Sequence, residues 1–271
     1  MLNHKITGSS EKQIIFLHGN SQSLKVWESL TSMGSLKEKH TLITVDLPGH
    51  GNSFRSDNPE KDYSLFGLAD HFLSFIKQFD SKPYILVGNS LGSNIISEIA
   101  PKLKNCSGVL FTGSCVFGKS VSLEEVFLPN PNATTCFTEN PTDDMINMLA
   151  EDTIYNQSSD TKNLISNEFK NTDTKVRAVL GACIAGQQYS DELLNLEKSG
   201  IETAFVFGAE EKICNPHYLD HVNFSKWRSQ SVLIENCGHF PHLDQPKALA
   251  NIISEFAADC FNKISISTST P

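Results

Sequence analysis

The sequence predicts an α/β protein: a mostly parallel β-sheet with helices on both faces, carrying a helical insertion. Three observations lead there. In the first half the short apolar runs "IIFLHG", "TLITVDLPG", "YILVGNS" and "GVLFTG" alternate with longer segments of helical period, the pattern of repeated βα units. From about Gly118 to Leu196 the alternation stops and the chain becomes richer in Asn, Thr, Asp and Pro. Beyond it, "TAFVFG" and "SVLIENCG" resume the strand signal. Residues 1–117 and 197–271 therefore read as one core, with 118–196 as a helical cap, or lid, inserted into it.

Taken in order, "MLNHKITGSSEKQ" lacks a charged start followed by a long apolar core, so it does not read as a secretory signal and cytoplasmic residence is expected. In "SLFGLADHFLSFIKQF", Leu65, Leu68, Phe72, Phe75, Ile76 and Phe79 recur at three- and four-residue spacing. One helix face is thus apolar and lies on the sheet. "LGSNIISEIA" reads as a further helix directly after "YILVGNS". Inside the insertion, "DDMINMLAEDTIY" and "KNLISNEFK" are short amphipathic pieces. "PKALANIISEFAADCF" closes the core with an apolar helix face, and "KISISTSTP" reads as a frayed tail.

Composition excludes several classes of function. A chain of 271 residues with 39% hydrophobic and 20% charged residues is long enough and apolar enough for a full core, and no apolar run is long enough to span a membrane. A net charge of -9 argues against a nucleic-acid footprint. The seven cysteines are odd in number, scattered and free of any CxxC pair, which argues for buried reduced thiols over a disulfide framework or zinc site. His217 and His221 stand one helical turn apart, yet no third ligand accompanies them and they read as solvated. No metal or organic cofactor is expected, and the oligomeric state is not legible.

The chemistry concentrates in "GNSLG". A serine hydroxyl is a poor nucleophile unless a base takes its proton and fixed donors receive the developing oxyanion. Gly88 and Gly92 flank Ser90 in the GxSxG pattern. An apolar strand-like run precedes it and a plausible helix follows, the context in which the serine stands at the apex of a strained turn and Leu91 offers its backbone N–H. The alternative is an ordinary turn serine, because small residues are common in turns.

Further motifs in the right order make the chain resemble a cap-containing, esterase-like serine hydrolase of the α/β-hydrolase fold superfamily, over nearly its whole length. "FLHGN", residues 16 to 20, resembles the family's oxyanion loop, which places the second backbone donor at Asn20. "DLPGHGNS", residues 46 to 53, resembles the loop after the next strand, where Asp46 and His50 read as fixing the turn. The general base is expected late in the chain, since this fold runs its triad as serine, acid, histidine. In "NCGHFPHLDQP" the resemblance picks His239, which directly follows a glycine, over His242. The acid is expected three residues after the glycine that ends "TAFVFG", which is Glu211. Glutamate stands there in place of the family's usual aspartate, and Glu210 is the adjacent competitor. Family members commonly have two strands before the "HG" motif, yet 17 residues precede His18, so the first strand of the sheet is expected to be missing.

These residues imply hydrolysis of a carboxylic ester or thioester of a small to medium acyl substrate through an acyl-enzyme. A serine at the elbow argues against the carboxylate chemistry of the related dehalogenases, although "HGN" followed by Trp27 resembles their loop. Asn89 before the nucleophile resembles carbon–carbon hydrolases of ring-fission diketones, and the fold also serves non-enzymatic ligand binding; both remain alternatives. The candidate pocket residues are His18, Asn89, Phe127, Phe137 and Met148. Leu128, Met145, Leu149 and Tyr155 either join them or pack the cap onto the core, and Lys119 and Lys162 read as solvated.

Overall fold

A computed structural model describes residues 1–267. Among these, seven strands form one sheet: β1 (His4–Thr7), β2 (Gln13–Leu17), β3 (Thr41–Val45), β4 (Tyr84–Asn89), β5 (Cys106–Thr112), β6 (Glu202–Gly208) and β7 (Val232–Ile234). Their spatial order is β1-β3-β2-β4-β5-β6-β7. Only β1 runs antiparallel to its neighbour; all other pairings are parallel. Every apolar run read as a strand is one. One strand precedes the strand that leads into the "HG" motif, and it forms no hairpin with it: β1 pairs His4 to Thr7 along β3 at the sheet edge.

The near-continuous apolar strands are buried on both faces, as parallel sheets are. Side chains alternate between two cores. Ile15, Leu17, Leu86 and Phe111 face α1 (Leu65–Ile76) and α2 (Leu91–Ile99), while Ile14, Phe16, Val87 and Leu110 face the long closing helix. Leu68 and Phe72 of α1 are fully buried, as the helical spacing predicted. The closing helix runs Pro246–Ser267, so the predicted frayed tail is helical to Ser267 and its last four residues lie outside the described region. Among the described residues no helix is long and apolar enough to cross a membrane.

Between β5 and β6 lie α3 (Asp143–Thr153), α4 (Ser159–Asn171), α5 (Thr174–Ala185) and α6 (Glu192–Ser199). The local richness in Thr, Ser and Asp has a structural use: Thr142, Ser158, Asp173 and Asp191 each accept a backbone N–H of the first turn of their helix. Such caps stabilise a helix by about 1 kcal/mol each. We label the closing helix α7 (Pro246–Ser267).

The chain leaves β2 toward β3 and returns to the other side for β4. A crevice therefore opens at the carboxyl ends of β2 and β4, where the strand order reverses.

Candidate active site

Ser90 stands directly after β4 with φ 49° and ψ -118°. A non-glycine residue held there costs on the order of 1–3 kcal/mol and persists only if its surroundings enforce it. They do so here. Ser90 N donates to Thr112 O at 3.0 Å on β5, and Ser90 O accepts from Ser93 N at 2.7 Å and Ser93 Oγ at 2.6 Å. The turn also needs its glycines: a Cβ on Gly92 would lie 2.6 Å from Leu17 O, and one on Gly88 would lie 2.8 Å from Gly92 C. Leu91 opens α2, so its N–H has no carbonyl four residues back within the helix.

The loop after β2 lies across from it and is held at every residue. His18 Nδ1 pairs with Gly19 O at 2.8 Å and its Nε2 accepts Leu47 N at 3.1 Å. Gly19 N donates to Gln22 Oε1 at 2.8 Å. Asn20 Nδ2 donates to Cys136 O at 2.7 Å, and Ser21 N donates to His50 Nε2 at 3.2 Å. Asp46 accepts Leu24 N at 2.7 Å and Asn52 N at 2.9 Å. Asp46 and His50 thus fix the turn, the role read from the sequence.

His239 enters from the loop after β7. Its Nδ1 lies 2.8 Å from Glu211 Oε2, both side chains being almost wholly buried. The other carboxylate oxygen accepts Ile213 N at 2.8 Å and Lys212 N at 3.1 Å, which aims Glu211 at the imidazole. Burial disfavours a charged His239, but the adjacent Glu211 carboxylate and its hydrogen bond outweigh it, and the histidine is raised above its ordinary 6.5. Glu210 instead accepts Cys237 N at 2.8 Å and braces the same loop from behind. Between the two glutamates left open by the sequence, the geometry pairs Glu211 with His239.

Ser90, Leu91, Asn20 and His239 all line one cavity of about 240 Å³. Its far wall comes from the inserted segment, including Phe127, Leu128, Phe137, Leu149 and Phe169. Three candidate pocket residues lie elsewhere. His18 is sealed beneath the loop it braces, with no exposed surface. Asn89 is likewise buried under the elbow, its Nδ2 donating to Thr112 O at 3.0 Å, because consecutive strand residues point to opposite sides. Met148 is 45% exposed on the outer face of α3, whereas Leu149, one helical step of about 100° further on, faces the cavity. Tyr155 is also largely exposed, and Met145 is half-buried outside the lining. Trp27, the dehalogenase-like cue, is buried between Phe16 and His242 and does not reach the cavity. His217 and His221 are exposed and pair with Asp220 and Glu125.

Sequence reasoning missed other parts of the site. Asp244 accepts Gly238 N, Tyr155 N and Asn156 N within 2.9 Å, tying the histidine loop to the insertion. Arg177 of α5 is buried and donates to Thr138 O, Glu139 O, Phe169 O and Ser21 Oγ. Neither residue sits in a local pattern that signals its role, since three of Arg177's four partners and two of the three Asp244 accepts from are remote in sequence.

Comparison with known proteins agrees with this architecture. The chain is 23% identical over 264 residues to monoacylglycerol lipase ABHD6 of Rattus norvegicus, covering 92% of this chain and 76% of that protein. Among solved structures, the N-acyl homoserine lactonase AidH superposes with a TM-score of 0.86 at 21% identity, covering 96% of this chain and 94% of that one. An aryl esterase described as putative, from Burkholderia cenocepacia, superposes with a TM-score of 0.81 at 20% identity over 96% and 95% of the two chains. A model of the alpha/beta hydrolase family matches residues 14–252. This chain is a hydrolase and belongs to the alpha/beta hydrolase family.

Proposed function

We propose that the enzyme cleaves the carboxylic ester or thioester bond of a small to medium, neutral acyl substrate through an acyl-enzyme intermediate. The observation that carries this reading is the buried His239–Glu211 pair beside a cavity that it shares with the strained Ser90. Ser90 Oγ attacks the carbonyl carbon while His239 Nε2 takes its proton, and the backbone N–H groups of Asn20 and Leu91 receive the oxyanion. Glu211 holds the tautomer that keeps Nε2 free and stabilises the imidazolium. His239 returns the proton to the leaving alcohol or thiol. Water, activated by the same imidazole, then releases the acid and restores Ser90.

The cavity supports the substrate class. No Asp, Glu, Lys or Arg lines it among the described residues, and its volume is below the roughly 300 Å³ at which drug-sized pockets begin. The side-chain amides of Asn20, Asn94 and Asn130, which do line it, are engaged with protein partners. An apolar acyl chain suits such walls better than a charged or sugar-like one. Residues 118–196 act in this reading as the cap that shapes that wall. The monoacylglycerol lipase and esterase relatives act on bonds of this kind by their names.

The test is hydrolysis of p-nitrophenyl esters from acetate to decanoate by wild type and Ser90→Ala, with a ring-fission diketone in parallel. Ester turnover that falls at least about a thousandfold in the variant supports the reading. Diketone cleavage without ester turnover replaces it with carbon–carbon hydrolysis.

A further inference from the structure

Asp244 is a nearly buried acid that, among the described residues, pairs with no lysine, arginine or histidine; its recorded partners are backbone N–H groups. Taking a carboxylate out of water is costly unless its oxygens are hydrogen-bonded, and bonds to a charged acceptor are the strong ones. Oδ2 accepts Gly238 N at 2.8 Å and Tyr155 N at 2.9 Å, and Oδ1 accepts Asn156 N at 2.9 Å. The donors belong to two segments. Gly238 immediately precedes His239, whereas Tyr155 and Asn156 follow α3 of the inserted segment. We propose that Asp244 is a positioning residue for the hydrolysis: its carboxylate fastens the turn after α3 to the Gly238 N–H and so fixes the backbone that carries His239.

Three consecutive N–H groups of the histidine loop are held one after another. Cys237 N donates to Glu210 Oε2 at 2.8 Å, Gly238 N to Asp244 Oδ2, and His239 N to Thr153 O at 2.9 Å. The first tie runs to the loop after β6; the next two lead to the inserted segment, directly at Thr153 and through the Asp244 carboxylate to Tyr155 and Asn156. Contact there is close, since a Cβ on Gly238 would lie 2.9 Å from Thr153 O and 3.2 Å from Ile154 Cα. Phe240, on the other side of His239, packs in one cluster with Ala150, Ile154 and Ile165 of the inserted segment. Thr153 and Phe240 also line the cavity, so one unit carries both the imidazole and part of the substrate wall.

Glu211 fixes the imidazole at Nδ1, but where the ring sits also depends on the main chain that bears it. A misplacement of about 1 Å in a reacting group costs roughly a hundredfold in rate. The carboxylate is suited to this task in a way an amide is not: one oxygen serves Gly238 and Tyr155 while the other serves Asn156. Asparagine has a single acceptor oxygen and turns an NH2 group toward whichever N–H remains. The effect on turnover rests on the triad proposed above; the joining of the two segments does not.

The full chain, Asp244→Ala and Asp244→Asn are compared by kcat and KM on p-nitrophenyl butyrate and by amide hydrogen exchange of residues 153–158 and 236–244. The expected result is a kcat about a hundredfold lower for alanine and about tenfold lower for asparagine, with KM within about twofold. Exchange is expected to quicken in both segments together. In a His239→Ala background, whose residual turnover proceeds without the imidazole, Asp244→Ala is expected to cause no further loss, because it acts through that side chain. Asp244→Asn carries the same comparisons where alanine does not fold. An equal loss in both backgrounds, a change confined to KM, or exchange that quickens in one segment alone overturns the proposal. In a chain that hydrolyses no ester, the exchange experiment still decides whether Asp244 joins the two segments, while the proposed function fails on its own.

Discussion

Arg177 Nη1 donates to Ser21 Oγ at 3.3 Å, joining a helix of the inserted segment to the loop that carries Asn20, the proposed oxyanion donor. Ser21 Oγ in turn donates to Asn20 Oδ1 at 3.1 Å, and Asn20 Nδ2 reaches back to Cys136 O. Among the described residues the guanidinium has no carboxylate partner; it lies 4.7 Å over the Phe169 ring, which lines the cavity. The inserted helix and the Asn20 loop are therefore tied together, and under the proposed mechanism the helix position affects the oxyanion geometry. Replacing Arg177 by Met leaves Thr138 O, Glu139 O and Phe169 O without this donor, at about 1–3 kcal/mol for each that stays unsatisfied. Arg177→Met is expected to lower stability in urea unfolding and to reduce kcat more than it raises KM, with Arg177→Lys intermediate. Unchanged kcat in a destabilised variant would make Arg177 an anchor alone.

In the proposed mechanism His239 must be neutral to accept the Ser90 proton. Its raised pKa places the acid limb of kcat/KM above pH 6.5, with activity lost as pH falls through it. Glu211→Gln removes the charge that raises it, so the limb moves toward lower pH while kcat falls at every pH. Glu210→Gln, whose amide oxygen can still accept Cys237 N, should leave both nearly unchanged. A pH–rate profile of the three proteins settles the assignment, and inactivation by Glu210→Gln alone would reverse it.

Glu192 of α6 is fully buried, and burial holds its carboxyl well above its ordinary 4.5 although Oε2 accepts Phe117 N and Asn94 Nδ2 at 2.9 Å each. Native chain then binds more protons than unfolded chain once pH exceeds about 4.5. This contribution to stability is complete below that value and is lost as pH rises through the raised pKa. Glu192→Gln keeps an acceptor without the titration. Its urea midpoint should decline less than that of wild type between pH 6 and pH 9 (about three units).

His242 gives the opposite slope. Its ring is wholly buried, tilted at 38° with its centroid 4.4 Å from that of Trp27, and among the described residues neither nitrogen has a hydrogen-bond partner. Burial depresses its pKa to about 3. Stability is present above the ordinary 6.5 and is lost as pH falls toward 3, by up to a few kcal/mol at about 1.4 kcal/mol per pKa unit. Acid unfolding of His242→Leu should occur at lower pH than that of wild type; a midpoint that does not move would mean other groups, such as the buried His18 and His50, dominate.

The sheet and the order of the candidate site's motifs were legible because they are local. A run such as "YILVGNS" is apolar throughout because both faces of its strand are buried, and a strained elbow leaves glycines at fixed offsets from its serine. The same locality made His239 readable, as the histidine after the glycine in "NCGHF". It left Glu210 and Glu211 undecided, since adjacent carboxylates differ only in which way the folded loop points them, and here the N–H groups of Lys212 and Ile213 aim the second one. Pocket membership was legible only in part: Phe127 and Phe137 line the cavity while Met148 faces solvent. Arg177 and Asp244 were invisible, because each joins segments far apart in sequence. The amino-acid sequence by itself determined which backbone turns and chemical groups exist; only tertiary packing decided which of those groups face one another, since burial and distance are properties of the closed chain.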